Sequence, residues 1–220
     1  MILPDTYYSR SEVSNSDLSW LKEQLRPREK HDPTAAYRFG NLIDAMITEP
    51  ERVDFFRRKL GDVEFTVEEF EVAEKMKHAF YADEFCRNMA KGADGQKVMA
   101  ARRQFNYMGY EFSLPCRCKW DLWRADAFIG GDIKSTVATS QAQFEAAARF
   151  FDYDRQRAWY MDLAGSNEDI LIGISKVNQK VFKIPINRKS SWYLDGFVKY
   201  NELAFRWYVL FGESNPNQKC

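Results

Sequence analysis

Long apolar runs, paired cysteines and an excess of charge of either sign are all missing from this sequence. No apolar stretch in its 220 residues approaches the roughly 18 residues that a membrane-spanning helix needs. The N-terminus also lacks the basic and apolar regions of a signal peptide. We therefore expect a soluble, cytoplasmic protein with no membrane partner.

The four cysteines, Cys86, Cys116, Cys118 and Cys220, form no Cys-x-x-Cys pair. This spacing indicates neither a zinc ribbon nor a thioredoxin site, so reduced thiols with a structural role are expected. Lys and Arg together number 32, as do Asp and Glu, and the formal net charge is zero. The total charge thus gives no sign of a nucleic acid partner, and such a partner would need a local basic patch.

Hydrophobic residues make up 45% and charged residues 29% of the chain, which is an ordinary globular balance. The length predicts a single domain over residues 1–220, with a helical N-terminal part over 1–92 and a sheet with flanking helices over 93–212. No internal repeat or low-complexity segment divides it.

Helical patterns dominate the first ninety residues. The segment Ser14-Asn15-Ser16 offers N-cap side chains for a helix that Pro27 ends, and an apolar stripe predicts a second helix over 35–48. Pro50 then starts a short helix that turns Val53, Phe55 and Phe56 inward. A capping box at Thr66 opens one helical stretch over 66–90.

Beyond Gly95 the apolar period shifts toward two. Three strands over 97–105, 110–122 and 126–134 are predicted to form an antiparallel meander. Helices follow over 140–151 and 153–164, then a strand pair over 170–177 and 181–186, and a last helix over 191–211. The fold class is therefore α/β (α+β), a central mixed sheet flanked by helices with an N-terminal helical region.

Two carboxylates and a lysine come together on this predicted meander. Asp132 and Lys134 lie two apart on one strand and share a face, while Ile133 points to the opposite, buried side. Asp121, near the end of the preceding strand, folds back beside Asp132. Such carboxylates repel unless a cation lies between them, and oxygen ligands select Mg²⁺ or Mn²⁺. The Ile133 carbonyl is a natural extra ligand.

An Asp, about ten residues and then Asp-x-Lys after an apolar strand resembles the catalytic signature of the PD-(D/E)XK nuclease superfamily. Residues 39–51, FGNLIDAMITEPE, resemble a helix of the RecE-type exonucleases, also called exonuclease VIII. Residues 153–160, YDRQRAWY, are similar to that family's helix with a Gln and a Tyr four residues later, and residues 7–18 to its opening. Two positions depart from the pattern: Asp44 stands where the family usually has His, and Asp132 replaces the more general Glu.

The resemblance implies a restriction-endonuclease-like core and a Mg²⁺- or Mn²⁺-dependent DNA exonuclease. The metal ligands it implies are Asp44, Asp121, Asp132 and the Ile133 carbonyl. Its catalytic residues are Asp121, Asp132, Lys134, Gln156 and Tyr160. Lys134 would orient the attacking water and stabilise negative charge, and Gln156 and Tyr160 would position Lys134, a water or a phosphate.

Five basic residues lie on or beside the strands that supply these carboxylates. Strand alternation places several of them on the substrate face, where they would contact DNA phosphates. The predicted DNA-binding residues are Arg102, Arg103, Arg117, Lys119 and Arg124.

The resemblance also implies degradation of duplex DNA from 5′ ends by a ring-shaped homo-oligomer, a trimer or tetramer, acting with a single-strand annealing protein in phage-type recombination. Three alternatives stay open. The chain could be a PD-(D/E)XK endonuclease, a single-strand nuclease of the CRISPR adaptation type, or a catalytically idle DNA-binding scaffold. Single-strand nucleases of the CRISPR adaptation type often carry an iron-sulphur cluster on four cysteines. The spacing of the four cysteines in this chain does not match theirs.

Overall fold

The computed structural model describes residues 6–27 and 32–213. Its helices are α1 (Asn15–Leu25), α2 (Thr34–Thr48), α3 (Val67–Ala82), α4 (Glu84–Ala90), α5 (Gln141–Phe150), α6 (Tyr153–Ala164) and α7 (Ser191–Phe211). Its strands are β1 (Val53–Asp54), β2 (Lys59–Leu60), β3 (Val63–Glu64), β4 (Asp94–Tyr107), β5 (Tyr110–Arg124), β6 (Ile129–Thr136), β7 (Glu168–Ser175) and β8 (Val181–Asn187).

Side-chain caps fix where several helices begin. Thr66 forms the predicted capping box at the start of α3, and Ser14 forms a second one, which was not predicted from the sequence, at the start of α1. The single helix predicted over 66–90 is wrong, because the chain is extended at Asp83 (φ −71°, ψ 121°). The Asp83 carboxylate accepts a hydrogen bond from the Cys86 amide at 3.0 Å and caps α4 as a separate helix.

The short segment after α2 also differs from prediction. Pro50–Arg52 forms a single 3-10 turn, and the chain then enters the small antiparallel sheet β1-β2-β3. Val53 is buried as predicted, but Phe55 and Phe56 are 40% and 91% exposed. They lie in the turn between β1 and β2. Helical spacing therefore does not determine which way their side chains point.

The main sheet is mixed and has the order β4-β5-β6-β7-β8. Neighbouring strands are antiparallel except for β6 and β7, which are parallel and joined through α5 and α6. The meander, the strand pair and the α/β class are confirmed. Met108 and Gly109 close the β4-β5 hairpin with φ of 52° and 87°, as a two-residue turn of the favoured twist requires.

Each face of the main sheet is covered by its own hydrophobic cluster. One cluster joins the sheet to α1, α5, α6 and α7 and contains Trp120, Trp159 and Trp207. The other joins it to α2, α3 and α4 through Leu122, Ile133 and the isoleucines of β7. The sheet is thus the middle layer between two layers of helices.

The described cysteines are free and lie on both sides of this sheet. Cys86 belongs to the cluster beside α2, α3 and α4, and Cys116 and Cys118 belong to the other. Burial raises the pKa of each of these thiols to about 12, which makes them unreactive. Cys220 lies outside the described residues. Cysteines on opposite faces of a sheet cannot bind one iron-sulphur cluster, which removes that feature of the single-strand nuclease alternative.

Strands β5 and β6 separate soon after they meet, and we call this separation the fork. They pair only over Leu122–Arg124 and 129–131, after which β5 continues with β4 and β6 continues with β7. Beyond the fork, Val13 pairs with the free edge of β5. Its amide donates to the Pro115 carbonyl and its carbonyl accepts from the Arg117 amide, both at 2.8 Å. No helix in the described part of the chain is long and apolar enough to cross a bilayer.

Candidate active site at the fork

The fork brings together the three residues that carry the predicted signature. Asp121 lies on β5 at the point of separation, and Asp132 and Lys134 lie just beyond it on β6. Because β5 no longer pairs with β6 there, the Ile133 amide donates to Asp121 Oδ2 at 2.8 Å. The N–H and C=O of one strand residue point to the same neighbour, so the Ile133 carbonyl faces the fork as well.

Asp132 and Lys134 form an ion pair inside the fork. Asp132 is 1% exposed, and its Oδ2 lies 2.5 Å from Lys134 Nζ. Burial lowers the pKa of Lys134, but the charges of Asp132 and Asp121 outweigh that effect and raise it above its usual value. Lys134 is therefore a positively charged ammonium group here. It is suited to stabilising a nearby negative charge rather than to accepting a proton.

Asp44 reaches the same site from α2. Its pKa is raised well above the usual value by burial and then by Asp121, while Lys134 opposes the shift. Burial and the charge of Asp132 raise the pKa of Asp121 to about 6. The carboxyls of Asp44, Asp121 and Asp132 thus lie close enough to act on one another electrostatically. Their role as metal ligands stays a prediction.

Arg157 is a central residue that the sequence reasoning missed. It is fully buried on α6, with Nη2 at 3.3 Å from Asp132 Oδ1 and Nη1 at 3.5 Å from Asp169 Oδ2. Its guanidinium lies over the rings of Tyr160 and Trp120, at 4.3 and 5.0 Å from their centroids. The sequence did offer a signal: Arg157 precedes Tyr160 by three residues, so both lie on the inner face of the predicted helix, where a charged residue needs a buried partner.

Asp169, at the start of β7, was also missed. Burial raises its pKa to about 7, with a further contribution from Asp132, while Arg157 opposes the shift. Both its carboxylate oxygens are buried and accept no hydrogen bond from any described residue. Asp169 directly precedes the apolar run of β7, where a charge is unexpected without a buried partner.

Gln96 supports Asp121 from β4. Its Nε2 lies 3.4 Å from Asp121 Oδ1 and 3.1 Å from Thr48 Oγ1. Its φ of 50° interrupts the β4-β5 ladder, in which Gly95 pairs with Leu122 and Lys97 with Trp120. This break leaves Asp121 without a strand partner on β4, so that the carboxylate is held by side chains and by β6.

Residues of α6 cover the fork from the other side. The Tyr153 ring centroid lies 5.0 Å from Lys134 Nζ, and Tyr160 packs edge-on against Trp120 at 5.2 Å. Gln156 Oε1 is buried and has no hydrogen-bond partner within the part of the chain that the structure describes. The predicted contact with Lys134 is thus made by Tyr153, and Tyr160 packs against Arg157 instead.

The carboxylate oxygens at the fork are suitable ligands for a hard divalent cation, both in their chemistry and in their total charge. Four carboxylates, those of Asp44, Asp121, Asp132 and Asp169, outnumber the cations Lys134 and Arg157. Asp44 Oδ1 is buried and accepts no hydrogen bond from the residues described, whereas Asp132 Oδ2 has Lys134 as its partner. Surplus carboxylates and an unsatisfied oxygen are what a bound cation would offset. Within residues 6–27 and 32–213, however, no three such side chains already form a closed metal cage.

Three of the predicted DNA-binding residues do not share this site. Arg117 is 3% exposed and donates to the carbonyls of Arg10 and Glu12, so it anchors the N-terminal segment. Arg102 pairs with Pro115 of β5, six residues and about 20 Å along the strand from Asp121. It forms an exposed ion pair with Glu213 at 2.6 Å. The side chain of Arg103, next to it, donates to the carbonyl of Asp162.

Lys119 and Arg124 lie nearer the fork. The positive charge of Lys119 contributes weakly to lowering the pKa of Asp44, and its Nζ lies 5.4 Å from the centroid of the Tyr7 ring. Arg124 follows Asp121 by three residues, pairs with Asp126 at 2.5 Å and donates to the Asn88 carbonyl at 2.8 Å. The single basic patch that the sequence predicted is therefore wrong in extent, because alternation along a strand cannot show which arginines turn toward buried acceptors.

A mixed sheet between helical layers, with Asp, Asp and Lys where two strands separate, defines a domain of the PD-(D/E)XK type. The family model of a PDDEXK-like domain of unknown function (DUF3799) matches residues 15–179. The chain belongs to this family. No curated protein matches the sequence.

Solved structures resemble the fold. A candidate exonuclease from Eubacterium rectale is 16% identical, with a TM-score of 0.61 over 98% of this chain and 89% of that one. A phage-related exonuclease from Haemophilus somnus 129PT is 11% identical, with a TM-score of 0.42 over 88% and 92%. The first similarity supports the restriction-endonuclease-like fold. The TM-score of the second is too low to add support.

Proposed function

We propose that this protein is a metal-dependent deoxyribonuclease, and more specifically a RecE-like exonuclease that degrades duplex DNA from 5′ to 3′. The observation that carries the proposal is the convergence of Asp121, Asp132 and Lys134 at the fork of a PDDEXK-like domain. The description of the Eubacterium rectale protein as a candidate exonuclease agrees with it.

The metal ligands in this proposal are Asp121, Asp132 and the Ile133 carbonyl, with Asp44 holding the ion directly or through water. A bound Mg²⁺ or Mn²⁺ would polarise the phosphate and lower the pKa of a water molecule. Asp121 is already fixed for this role by the Ile133 amide and Gln96.

Lys134 supplies the fixed positive charge. As an ammonium group 2.5 Å from Asp132, it orients the attacking water and stabilises the negative charge that develops on phosphorus oxygens. Arg157 holds Asp132 in place from behind, and Tyr153 limits where the Lys134 ammonium can move. Gln156, with its buried carbonyl oxygen, is placed to accept from a water at the same site.

Lys119 and Arg124 are the basic residues that we assign to DNA phosphates, since on β5 they lie two residues before and three residues after Asp121. The wider proposal includes a ring-shaped homo-oligomer, a trimer or tetramer, and a cytoplasmic protein that acts with a single-strand annealing protein. Static light scattering that gave only a monomer at working concentration would contradict the ring.

The central test compares end-labelled linear duplex with closed circular duplex in the presence of Mg²⁺. We expect wild type to degrade the linear DNA only, releasing a 5′ label before a 3′ label. Asp132→Asn and Lys134→Ala should each lose at least about 100-fold in rate, as removal of an acid–base or charge-stabilising group does.

Matched controls are available on the surface. Asp195→Asn and Lys189→Ala remove the same charges at exposed positions and should match wild type. Cutting of the closed circle would instead support the endonuclease alternative. If DNA is bound but never cut, the protein is a scaffold, and if the fork variants match wild type, the assignment of catalysis to the fork fails.

A further inference from the structure

A second cationic site lies outside the fork, in a cavity between α1, α6 and α7. We call it the basic cavity. It has a volume of about 270 Å³. Its lining residues are Lys22, Leu25, Arg26, Asp152, Arg155, Lys199, Glu202, Leu203 and Arg206.

Arg155 is the unusual member of the basic cavity. It is only 2% exposed, and its hydrogen bonds go to neutral acceptors, Asn15 Oδ1 at 3.0 Å and Ser19 Oγ at 2.5 Å. Its Nη1 is buried and has no partner in the described ranges 6–27 and 32–213. Burial lowers the pKa of this arginine. A buried guanidinium without a directly bound carboxylate is costly, and a bound anion would offset that cost.

The other charges of the cavity add to this surplus. Lys22 and Lys199 both donate to the carboxylate of Asp152, which holds their ammonium groups at the wall. Lys199 also donates to Asp154, which lies behind the wall and is shared with Arg149. Arg206 pairs with Glu202 at 2.9 Å. The lining itself carries five cationic side chains and two acidic ones, and this excess of positive charge suits an anion with several acceptor oxygens.

Shape narrows the class of ligand. The volume lies just below the usual range for small-molecule sites, which suits one small ligand and not a duplex. Leu25 and Leu203 add apolar surface beside the cations. Guanidinium and ammonium groups next to an apolar wall match a phosphate attached to a less polar body.

We propose that the basic cavity binds the phosphate group of a single nucleotide, with Arg155 as its central contact. The site is separate from the fork, because none of its lining residues belongs to the carboxylate cluster. The two sites meet at the start of α6, where the N-cap residue Asp152 lines the cavity and the next residue, Tyr153, lies against Lys134. The nucleotide is either free in solution or one unit of a DNA strand.

The test is calorimetric titration of the full chain in EDTA, so that the metal-dependent chemistry at the fork plays no part. The probes are inorganic phosphate, a deoxynucleoside 5′-monophosphate, the matching nucleoside and a short single-stranded oligonucleotide. We expect saturable binding of the phosphate-bearing probes and none of the nucleoside. Arg155→Gln should weaken it roughly 10-fold or more, as loss of a charge-assisted hydrogen bond does.

Because Arg155 also holds α1, a second variant keeps the test independent of folding. Lys22→Gln, at a partly exposed position, should weaken binding as well, whereas Arg102→Gln on β4 should not. Arg155-dependent binding of the mononucleotide identifies a free nucleotide, and Arg155-dependent binding of the oligonucleotide alone identifies a strand phosphate. If no probe binds saturably, or if both cavity variants bind like wild type, the proposal is wrong.

Discussion

Replacing Arg157 with Met would leave two buried carboxylates without their shared guanidinium. Arg157 lies between Asp132 and Asp169, and all three side chains are almost completely buried. Removing one partner of a buried ion pair typically costs about 3–5 kcal/mol, because an uncompensated charge stays behind. We therefore expect Arg157→Met to lower the free energy of unfolding by about that amount at pH 8. Urea unfolding followed by tryptophan fluorescence measures it.

The pH dependence of that loss provides a second, sharper readout. In the folded protein the pKa of Asp169 is raised from 3.8 to about 7, so the folded state keeps its proton at pH values where the unfolded chain has lost it. Stability from this group therefore falls as pH rises from about 4 to 7. Without Arg157 the pKa of Asp169 rises further. At pH 5 Asp169 is neutral with or without Arg157, and the loss should be clearly smaller than at pH 8.

Two further variants make this reasoning refutable. Arg102→Met removes an exposed ion pair and should change stability by no more than about 0.5 kcal/mol. Arg157→Met combined with Asp169→Leu removes one of the two carboxylates that the single variant leaves without Arg157, and should recover part of the loss. A loss below about 1 kcal/mol at pH 8, or one equally large at pH 5, would show that Arg157 does not compensate these carboxylates.

Three other predictions follow from local contacts. Gly130→Ala places a Cβ about 1.8 Å from the Trp120 ring and should cost about 1–3 kcal/mol in unfolding free energy; unchanged urea unfolding would contradict this overpacking. Ser14→Ala removes the α1 capping box and should cost about 1 kcal/mol in thermal unfolding, while Ser11→Ala, at an exposed position, should not. Arg117→Met frees the carbonyls of the N-terminal segment and should speed trypsin cleavage at Arg10, which an equal digestion rate would refute.

Much of the fold could be predicted because its signals are local. Caps at Ser14 and Thr66, the turn at Gly109 and alternating apolar residues are each set by residues within one turn or hairpin. The break at Asp83 was missed because the residues on both sides are good helix formers. Only the capping hydrogen bond of its carboxylate shows that a new helix begins there.

The candidate site was predictable to the extent that strand periodicity governs it. Asp132 and Lys134 share a face because they lie two apart, and the meander brings Asp121 alongside. Arg157 and Asp169 depend on how α6 packs across β6 and β7, which involves residues far apart in sequence. The partners of Arg117 lie more than 100 residues away, so its burial could not be inferred from its own strand.

The fork also has a consequence for how the chain folds. The β4-β5 hairpin is closed by a two-residue turn, so its contacts are local and can form early. The parallel β6-β7 pairing must wait for the whole α5-α6 connection to be placed, which is a slower, non-local step. Asp121 lies on the hairpin that can form early. Arg157 and Asp169 lie on α6 and β7, which are placed in the slower step. We therefore expect the carboxylate cluster to be completed late in folding, after most of the apolar surface of the hairpin is covered.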